Sequence, residues 1–247
     1  MMTGTEPDYR GSVMGSKYLY GKTQYLGVFL DGGKDVPADR GIRFSDIIHY
    51  KTMENEKVRD DESRRVFNLH KEHFTFEING TVIDSKELTE HPGFELPVPR
   101  CYCLCLSHKK NDLEMYARFN ADVCIEVDAD FLVDYLVTIV SARAPFRVLH
   151  GDIHYYPKVM TSSPPIEEAL IFYKDAELYS VEAEYRIALV LPEDVYLIAE
   201  QQKIEVLKGE EPTYMQIGHK GEAFWNRVFK SYTLLEDLCI QQPLLND

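Results

Sequence analysis

The stretch that most constrains the fold is Leu178–Leu191, which reads L-Y-S-V-E-A-E-Y-R-I-A-L-V-L. Polar and apolar residues alternate at first and then give way to a continuous apolar run, a pattern typical of a strand that enters a protein core. Successive side chains of a strand point to opposite faces of its sheet. We therefore expect one face of this strand to carry Glu182, Glu184 and Arg186, and the other face to carry Tyr185.

The whole chain predicts an α+β fold with a mixed, mostly antiparallel central sheet and flanking helices. The patterns favour a flexible tail over residues 1–16 and a single domain over residues 17–247. Apolar or alternating runs predict strands within Lys17–Leu30, Gly41–Tyr50, Phe74–Ile83 (a hairpin that turns at Asn79-Gly80), Arg100–Ser107, Ala121–Asp128, Pro145–Tyr156 and Val195–Ala199. Charged stretches, helical spacing and a Ser-Pro-Pro start predict helices over Glu54–Glu72, Asp130–Ser141, Ser163–Lys174 and Gly221–Gln241.

Charge and cysteine content narrow the class of protein. The 247 residues carry a formal net charge of −14 and contain no run of Lys or Arg. Nucleic acid is therefore not an expected partner, because nucleic-acid-binding surfaces cluster basic residues. The five cysteines are an odd number and Met1–Arg10 has no apolar signal segment, so the cytoplasm is the expected location. No apolar segment approaches the roughly 20 residues of a membrane helix, and we expect no membrane association.

Two groups of potential metal ligands do not have the spacing of a metal site. Cys101, Cys103 and Cys105 lie on one predicted strand, whereas zinc sites need the backbone to turn between ligands. His150 and His154 also fall on a predicted strand, where they would lie about 13 Å apart. We expect small buried thiols and no metal.

Three blocks of residues form a recognisable pattern along the chain. They are Cys105-Leu106-Ser107, then Tyr116-Ala117 followed by Val123-Cys124-Ile125 and Asp128, and finally Lys174, Tyr179, Glu182, Glu184 and Arg186. They resemble the C-F-S, Y-A-x-x-H-x-G-h-C-I-x-F-D and K…W-x-x-E-x-E-x-R motifs of a bacterial family, domain of unknown function 2971. The resemblance covers most of Tyr18–Leu191 and implies a phage-defence context, because members of that family recur beside phage-defence genes. Asn120 and Asp122 stand where that family has His and Gly, while the E-x-E-x-R block is intact.

The Glu-x-Glu pair suggests chemistry on NAD. When the nicotinamide–ribose bond breaks, an oxocarbenium charge develops at the ribose, which one carboxylate can stabilise while a second activates the acceptor. ADP-ribosyltransferases carry such a pair on a late strand, after an Arg on an early strand and a Ser on a middle strand. By analogy of order, the candidate catalytic residues are Glu182, Glu184 and Arg186. The candidate residues for binding NAD as a substrate are Arg43 for the pyrophosphate, Ser107 as a brace, and Tyr179 or Tyr185 for stacking on nicotinamide.

Two other interpretations of this segment stay open. The chain could be a catalytically inactive module that binds a nucleotide or a protein partner, an interpretation favoured by the altered His and Gly and by the sixteen tyrosines. Alternatively, the charged residues could form a solvated strand face whose cross-strand ion pairs contribute about 0.2–1 kcal/mol each. The sequence does not specify an oligomeric state.

Overall fold

The structure is a computed structural model that describes residues 15–30, 41–52, 61–140, 142, 145–192, 196–199, 202–207 and 209–241. Its strands are β1 (Lys17–Gly21), β2 (Ile42–Asp46), β3 (Arg64–Leu69), β4 (Phe76–Ile78), β5 (Thr81–Ile83), β6 (Gly93–Pro97), β7 (Cys101–Ser107), β8 (Val123–Val127), β9 (Arg147–Asp152), β10 (His154–Tyr156), β11 (Val159–Met160), β12 (Tyr173–Asp175), β13 (Glu184–Val190), β14 (Tyr196–Ala199), β15 (Gln202–Glu205), β16 (Tyr214–Ile217) and β17 (Phe229–Leu234). Its helices are α1 (Thr23–Leu26), α2 (Leu113–Arg118), α3 (Ala129–Tyr135), α4 (Ala176–Tyr179), α5 (Glu222–Val228) and α6 (Leu235–Gln241). Short 3₁₀ turns lie at Gly27–Phe29, Ile47–Thr52, Glu167–Phe172 and Ser180–Glu182, and α3 continues into a π-helical turn over Leu136–Val140.

The fold is α+β, as the sequence predicts, and is built on an eight-stranded sheet. One path through this sheet runs β16-β2-β7-β1-β8-β17, while β13 pairs with β7 and β9 pairs with β13. Every pairing in it is antiparallel. Parallel pairs occur in two smaller sheets, between β10 and β12 and between β11 and β3.

Strand β7 is the centre of the large sheet because its sequence, C-Y-C-L-C-L-S, suits burial on both faces. Six of its seven residues are buried, and Cys105 is half-buried. All seven residues of its neighbour β13 are buried as well. One face of the two strands packs on a core with α3 and α5, and the other packs on a core with β3 and the 3₁₀ turn before β12. Two adjacent strands without a solvent face need nearly continuous apolar runs, and these two have them.

The hairpin prediction is confirmed. Strands β4 and β5 pair on either side of Asn79 and Gly80, which both have positive φ values, 52° and 79°. Two consecutive left-handed residues form the turn whose twist matches a two-residue hairpin, and Asn-Gly is the usual sequence for it.

The prediction of one continuous strand over Leu178–Leu191 is wrong at its start. Asp175 caps α4 by accepting hydrogen bonds from the amides of Glu177 and Leu178, at 2.7 and 3.2 Å. The chain then turns through Ser180–Glu182, and Ala183 takes a left-handed conformation with φ of 43° before β13 begins. The alternation before Glu184 therefore comes from a helical turn, and Glu182 does not lie on the strand.

Three of the predicted helices are also corrected. Glu54–Glu72 is not one solvated helix: residues 53–60 lie outside the described ranges, and Arg64–Leu69 forms β3, where Arg65, Phe67 and Leu69 are buried. After the two prolines that follow Ser163, Ile166 is extended and Glu167 is left-handed, a conformation that a right-handed α-helix does not contain, so only a 3₁₀ turn forms. Within Gly221–Gln241, Phe229–Leu234 pairs with β8 as a strand, because pairing at the sheet edge outweighs a weak helical preference. Residues 84–99, for which the sequence predicts neither strand nor helix, contain β6.

Candidate functional site

A cavity of about 220 Å³ lies over the large sheet where two strands share one edge of β7. On that edge β2 pairs with Tyr102 and Cys103, and β1 pairs with Ser107. Within the described part of the chain, the residues between them, 104–106, have no strand partner on this side. The sheet is therefore split at this point, and the cavity lies at the split.

The floor of the cavity is one face of the sheet. The register places alternate residues of three strands on this face, and they line the cavity: Tyr18, Tyr20, Arg43, Ser45, Cys103, Cys105 and Ser107. The walls come from elements outside the large sheet, which carry Tyr50, Met115, Phe119, Lys174 and Glu182. Glu184 also lines the cavity, but it lies in the sheet itself, at the start of β13 and opposite Ser107. The lining thus combines aromatic rings with a small set of charged and hydroxyl groups, which is the usual composition of a small-molecule site.

Four of the seven residues selected from the sequence line this cavity together. Arg43, Ser107 and the Glu182–Glu184 pair come from three separate stretches of the chain. Arg186 is fully buried next to the cavity, where it contacts the Glu184 carboxylate. The structure therefore brings five of the seven residues into one site.

The two tyrosines proposed to stack on nicotinamide lie elsewhere. Tyr185 is on the opposite face of β13, where its hydroxyl lies 2.8 Å from Nδ1 of His150 and its ring lies 5.0 Å from Nζ of Lys17. The strand period explains this placement, since Tyr185 lies between Glu184 and Arg186. The Tyr179 ring lies 4.9 Å from Nζ of Lys174 and lines a different cavity. Neither ring lines the cavity at the split, so the stacking role is not one that this geometry supports.

Lys174 ties the two glutamates together. Its Nζ lies 3.0 Å from Oε2 of Glu182, 2.8 Å from Oε2 of Glu184 and 3.1 Å from Oε1 of Glu62. The other oxygen of Glu182 accepts a hydrogen bond of 2.8 Å from Nε of Arg118. The two carboxylates at the inner wall are thus held in fixed positions by a shared ammonium group.

A second cation, the buried guanidinium of Arg186, also pairs with Glu184. Arg186 donates from Nε to Glu184 at 2.7 Å and makes a bidentate contact with Glu62 at 2.6 and 2.9 Å. Glu62 also accepts a hydrogen bond of 2.9 Å from Arg65. Bidentate guanidinium–carboxylate contacts are strong and directional, so this arrangement orients Glu184 as well as neutralising it. We call the three glutamates with Lys174, Arg65, Arg118 and Arg186 the ion cluster.

The cluster keeps its groups ionised although they are buried. Burial alone would raise the pKa of Glu184, but Arg186 and Lys174 outweigh it, and the pKa of that carboxyl lies below its usual range. The same balance, set mainly by Arg186, holds the pKa of Glu62 well below its usual range. Burial opposes the charge of Lys174, yet Glu184, Glu62 and Glu182 raise the pKa of that amine well above its usual range. The site therefore presents charged carboxylates and a charged ammonium at neutral pH.

Arg43 and Ser107 differ in how strongly they are engaged. The Arg43 guanidinium is exposed and makes no ion pair or hydrogen bond with the described residues; it lies 4.3 Å from the centre of the Tyr214 ring. The Ser107 hydroxyl donates to the carbonyl of Glu182 at 2.7 Å and accepts from the amide of Lys109 at 3.0 Å. Ser107 therefore braces the turn that carries Glu182, while Arg43 has no such partner among the described residues.

Sequence reasoning missed several residues of the site. Glu62 lies in a stretch that was interpreted as a solvated helix, and nothing in its neighbours separates a buried glutamate from an exposed one. Arg118 was not among the residues selected from the sequence. The tyrosines that line the cavity could not be distinguished from the rest of the sixteen tyrosines in the chain. The alternation of side chains in β1 would have placed Tyr18 and Tyr20 on one face of the sheet.

Within the described residues, no group of three or more His, Cys, Asp or Glu side chains is arranged to hold a metal ion. No helix in the same ranges is long and apolar enough to cross a membrane. Comparisons with models of protein families, with curated proteins and with solved structures found no match to this chain. The resemblance to domain of unknown function 2971 therefore stays a prediction.

Proposed function

We propose that the cavity at the sheet split binds a nucleotide, NAD in particular, and that Glu182 and Glu184 act on its nicotinamide–ribose bond in ADP-ribosyl transfer or NAD cleavage. The observation that carries the proposal is the convergence of Arg43, Ser107, Glu182 and Glu184 on one cavity. The chemistry of these residues and their order along the chain independently point to the same reaction. With the resemblance to domain of unknown function 2971, we also propose that the protein acts in phage defence.

The charge of the site favours an anionic ligand. The ion cluster and Arg43 together contain five cations against three carboxylates, although the chain as a whole has a net charge of −14. A local excess of positive charge attracts phosphate groups, even in a protein that is acidic as a whole. A nucleotide is therefore favoured over an uncharged nucleoside.

The carboxylates suit the second half of the proposed reaction. When the C1′–N bond of NAD breaks, its electron pair leaves with neutral nicotinamide and the positive charge moves to the ribose. Glu182 and Glu184 are ion-paired at each oxygen, but a carboxylate oxygen can accept more than one hydrogen bond, so both can also contact the ribose. The acceptor, water or a hydroxyl, forms the new bond to C1′ and gives its proton to one of these carboxylates.

A second candidate is a module that binds the nucleotide without transforming it. The observation that favours it is the pairing of Glu182 and Glu184 with Lys174, Arg118 and Arg186, since nearby cations weaken the stabilisation of a developing positive charge. In this case the ion cluster holds the wall of the binding cavity rigid, and a protein partner recognises the nucleotide-bound form of the protein.

Turnover of NAD tests the proposal. We expect the wild-type protein to release nicotinamide from NAD, and Glu184→Gln to lower kcat by about 10²-fold or more, since it removes a charge aimed at the transition state. The same variant should keep an NAD-dependent rise in melting temperature, because NAD at a hundred times its Kd adds about 2.7 kcal/mol to folding stability. Glu95→Gln, at an exposed ion pair on β6, is the matched control and should leave both measurements unchanged.

Different results separate the two candidates. Binding of NAD without nicotinamide release by the wild-type protein would favour the binding module. Equal turnover by the wild-type protein and by both glutamine variants, at Glu182 and at Glu184, would remove the carboxylates from the mechanism. No binding of any nucleotide at millimolar concentration would contradict the proposal as a whole.

A further inference from the structure

We propose that Arg43 and Tyr214 form a stacking platform for the distal base of a dinucleotide whose other end occupies the cavity. This inference rests on the proposed function and specifies its ligand: a dinucleotide that leaves the cavity over Ser45, instead of a mononucleotide enclosed within it. Three observations support it: the size of the cavity, the register of the strands beside it, and the exposure of Tyr214 together with its contact to Arg43.

The cavity is too small for a dinucleotide. Its volume is about 220 Å³. Sites that bury most of a drug-sized molecule measure roughly 300–1,000 Å³, and a dinucleotide exceeds a typical drug in size. One nucleoside unit and its first phosphate can occupy the cavity, so the remainder of the ligand must lie on the surface outside it.

The register shows where that surface continues. Ser45 of β2 is opposite Cys103 of β7, and Tyr214 of the edge strand β16 is opposite Ser45. The three side chains therefore share the face of the sheet that forms the cavity floor. Tyr214 lies three strand spacings across the sheet and four residues along the strands from Glu184. For regular strand geometry, this separation is about 19 Å. A ligand spanning this distance has two nucleoside units.

Tyr214 has the features of a stacking surface. It is 56% exposed on the edge strand β16. The Arg43 guanidinium lies 4.3 Å from the centre of its ring. Nucleic-acid-binding proteins stack bases on aromatic rings and on guanidinium planes, and here a guanidinium lies over an aromatic ring.

Arg43 can serve the phosphates at the same time. A guanidinium that lies over an aromatic ring keeps its N–H groups at its edge, where they can donate to phosphate oxygens. Arg43 lines the cavity and contacts Tyr214, so it stands between the two ends of the proposed ligand. The order along the ligand is then ribose at the glutamates, pyrophosphate at Arg43 and distal base at Tyr214.

The test compares NAD with nicotinamide mononucleotide, which lacks the distal base, by calorimetric titration, with both supplied as analogues whose nicotinamide–ribose bond cannot be cleaved. The wild-type protein should bind NAD more tightly than the mononucleotide. Tyr214→Ala should weaken NAD binding about ten- to a hundredfold, as the loss of one base stack does, and should leave the affinity for the mononucleotide unchanged. Tyr214→Phe should bind both ligands like the wild type. Tyr232→Ala, which changes a tyrosine that is 43% exposed on the opposite edge strand, is the control.

The outcomes distinguish this inference from the function on which it rests. If NAD and the mononucleotide both bind and Tyr214→Ala leaves the ratio of their affinities unchanged, the platform is wrong and the cavity remains a nucleotide site. If Tyr214→Ala weakens both ligands equally, Tyr214 acts on the cavity and not on the distal base, which also overturns the platform. If neither ligand binds to the wild-type protein, the proposed function and the platform both fail.

Discussion

Glu62 shows how much of this protein depends on single charged residues. It is fully buried and contacts Arg186, Lys174 and Arg65. A buried carboxylate with three cationic partners has exchanged all of its water for protein contacts. Loss of Glu62 would take a counter-charge from each of these cations, and burial of an unpaired charge costs much free energy.

Replacement of Glu62 should therefore destabilise the fold strongly. Glu62→Ala leaves the buried guanidinium of Arg186 with Glu184 alone, and loss of one partner of a buried ion pair typically costs about 3–5 kcal/mol. Chemical denaturation of the variant and the wild type measures the free energy of unfolding. Glu95→Ala removes an equivalent contact to Arg64 at the surface and should change stability little. Equal stability of the two variants would show that the cluster contributes nothing specific.

Among individual residues, the sequence predicts those whose side chains suit the chemistry of a particular reaction. Arg43, Ser107, Glu182 and Glu184 could be selected because each has a role in a known reaction and they follow a known order. Glu62 and Arg118 could not, because their importance comes from burial. Burial depends on which distant elements fold over a residue, and residues 62 and 186 are brought together only by the complete sheet.

At the scale of elements, strand β7 determines where the cavity forms. One of its edges is paired along its whole length by β13, while its other edge is divided between β1 and β2. Both partners turn away before they meet, which leaves the split that the cavity occupies. The floor of the site thus depends on how β2 and its neighbour β16 are held together.

Gly41, just before β2, tests this dependence. A methyl group added at Gly41 would overlap the carbonyl oxygen of Ile217 in β16, so one of the two backbones would have to move. We expect Gly41→Ala to cost about 1–3 kcal/mol, as overpacking does, and to speed amide hydrogen exchange in β16 first. Gly151→Ala on β9 is the matched control, since a methyl group there meets no atom within 4 Å. Unchanged exchange in β16 would contradict the close approach of the two backbones.

Sequence patterns identify short elements well where local chemistry decides. The Asn-Gly hairpin and the apolar strand β7 were both predicted, because a left-handed turn and a doubly buried strand have distinctive residues. The segment Phe229–Leu234 was predicted as helix, and it is a strand because β8 offers it a free edge. A short stretch of sequence does not show which distant strand it will pair with. It also did not indicate the 3₁₀ turn that carries Glu182.

On the scale of the whole molecule, the acidic chain surrounds a site with an excess of cations. The chain has a net charge of −14, while the ion cluster and Arg43 bring five cations together at the sheet split. The sequence predicted the α+β class from the spacing of its runs, but it could not predict the split, which requires three strands in a definite register. Both proposals depend on this one feature of the fold.

The most direct test of the central claim is a crystal structure of the protein grown with an NAD analogue whose nicotinamide–ribose bond cannot be cleaved. The account predicts the ribose within hydrogen-bond distance of Glu182 and Glu184, with a phosphate on Arg43. Density for the analogue at any other position, or an empty cavity at a saturating concentration, would contradict the assignment of this cavity as a nucleotide site.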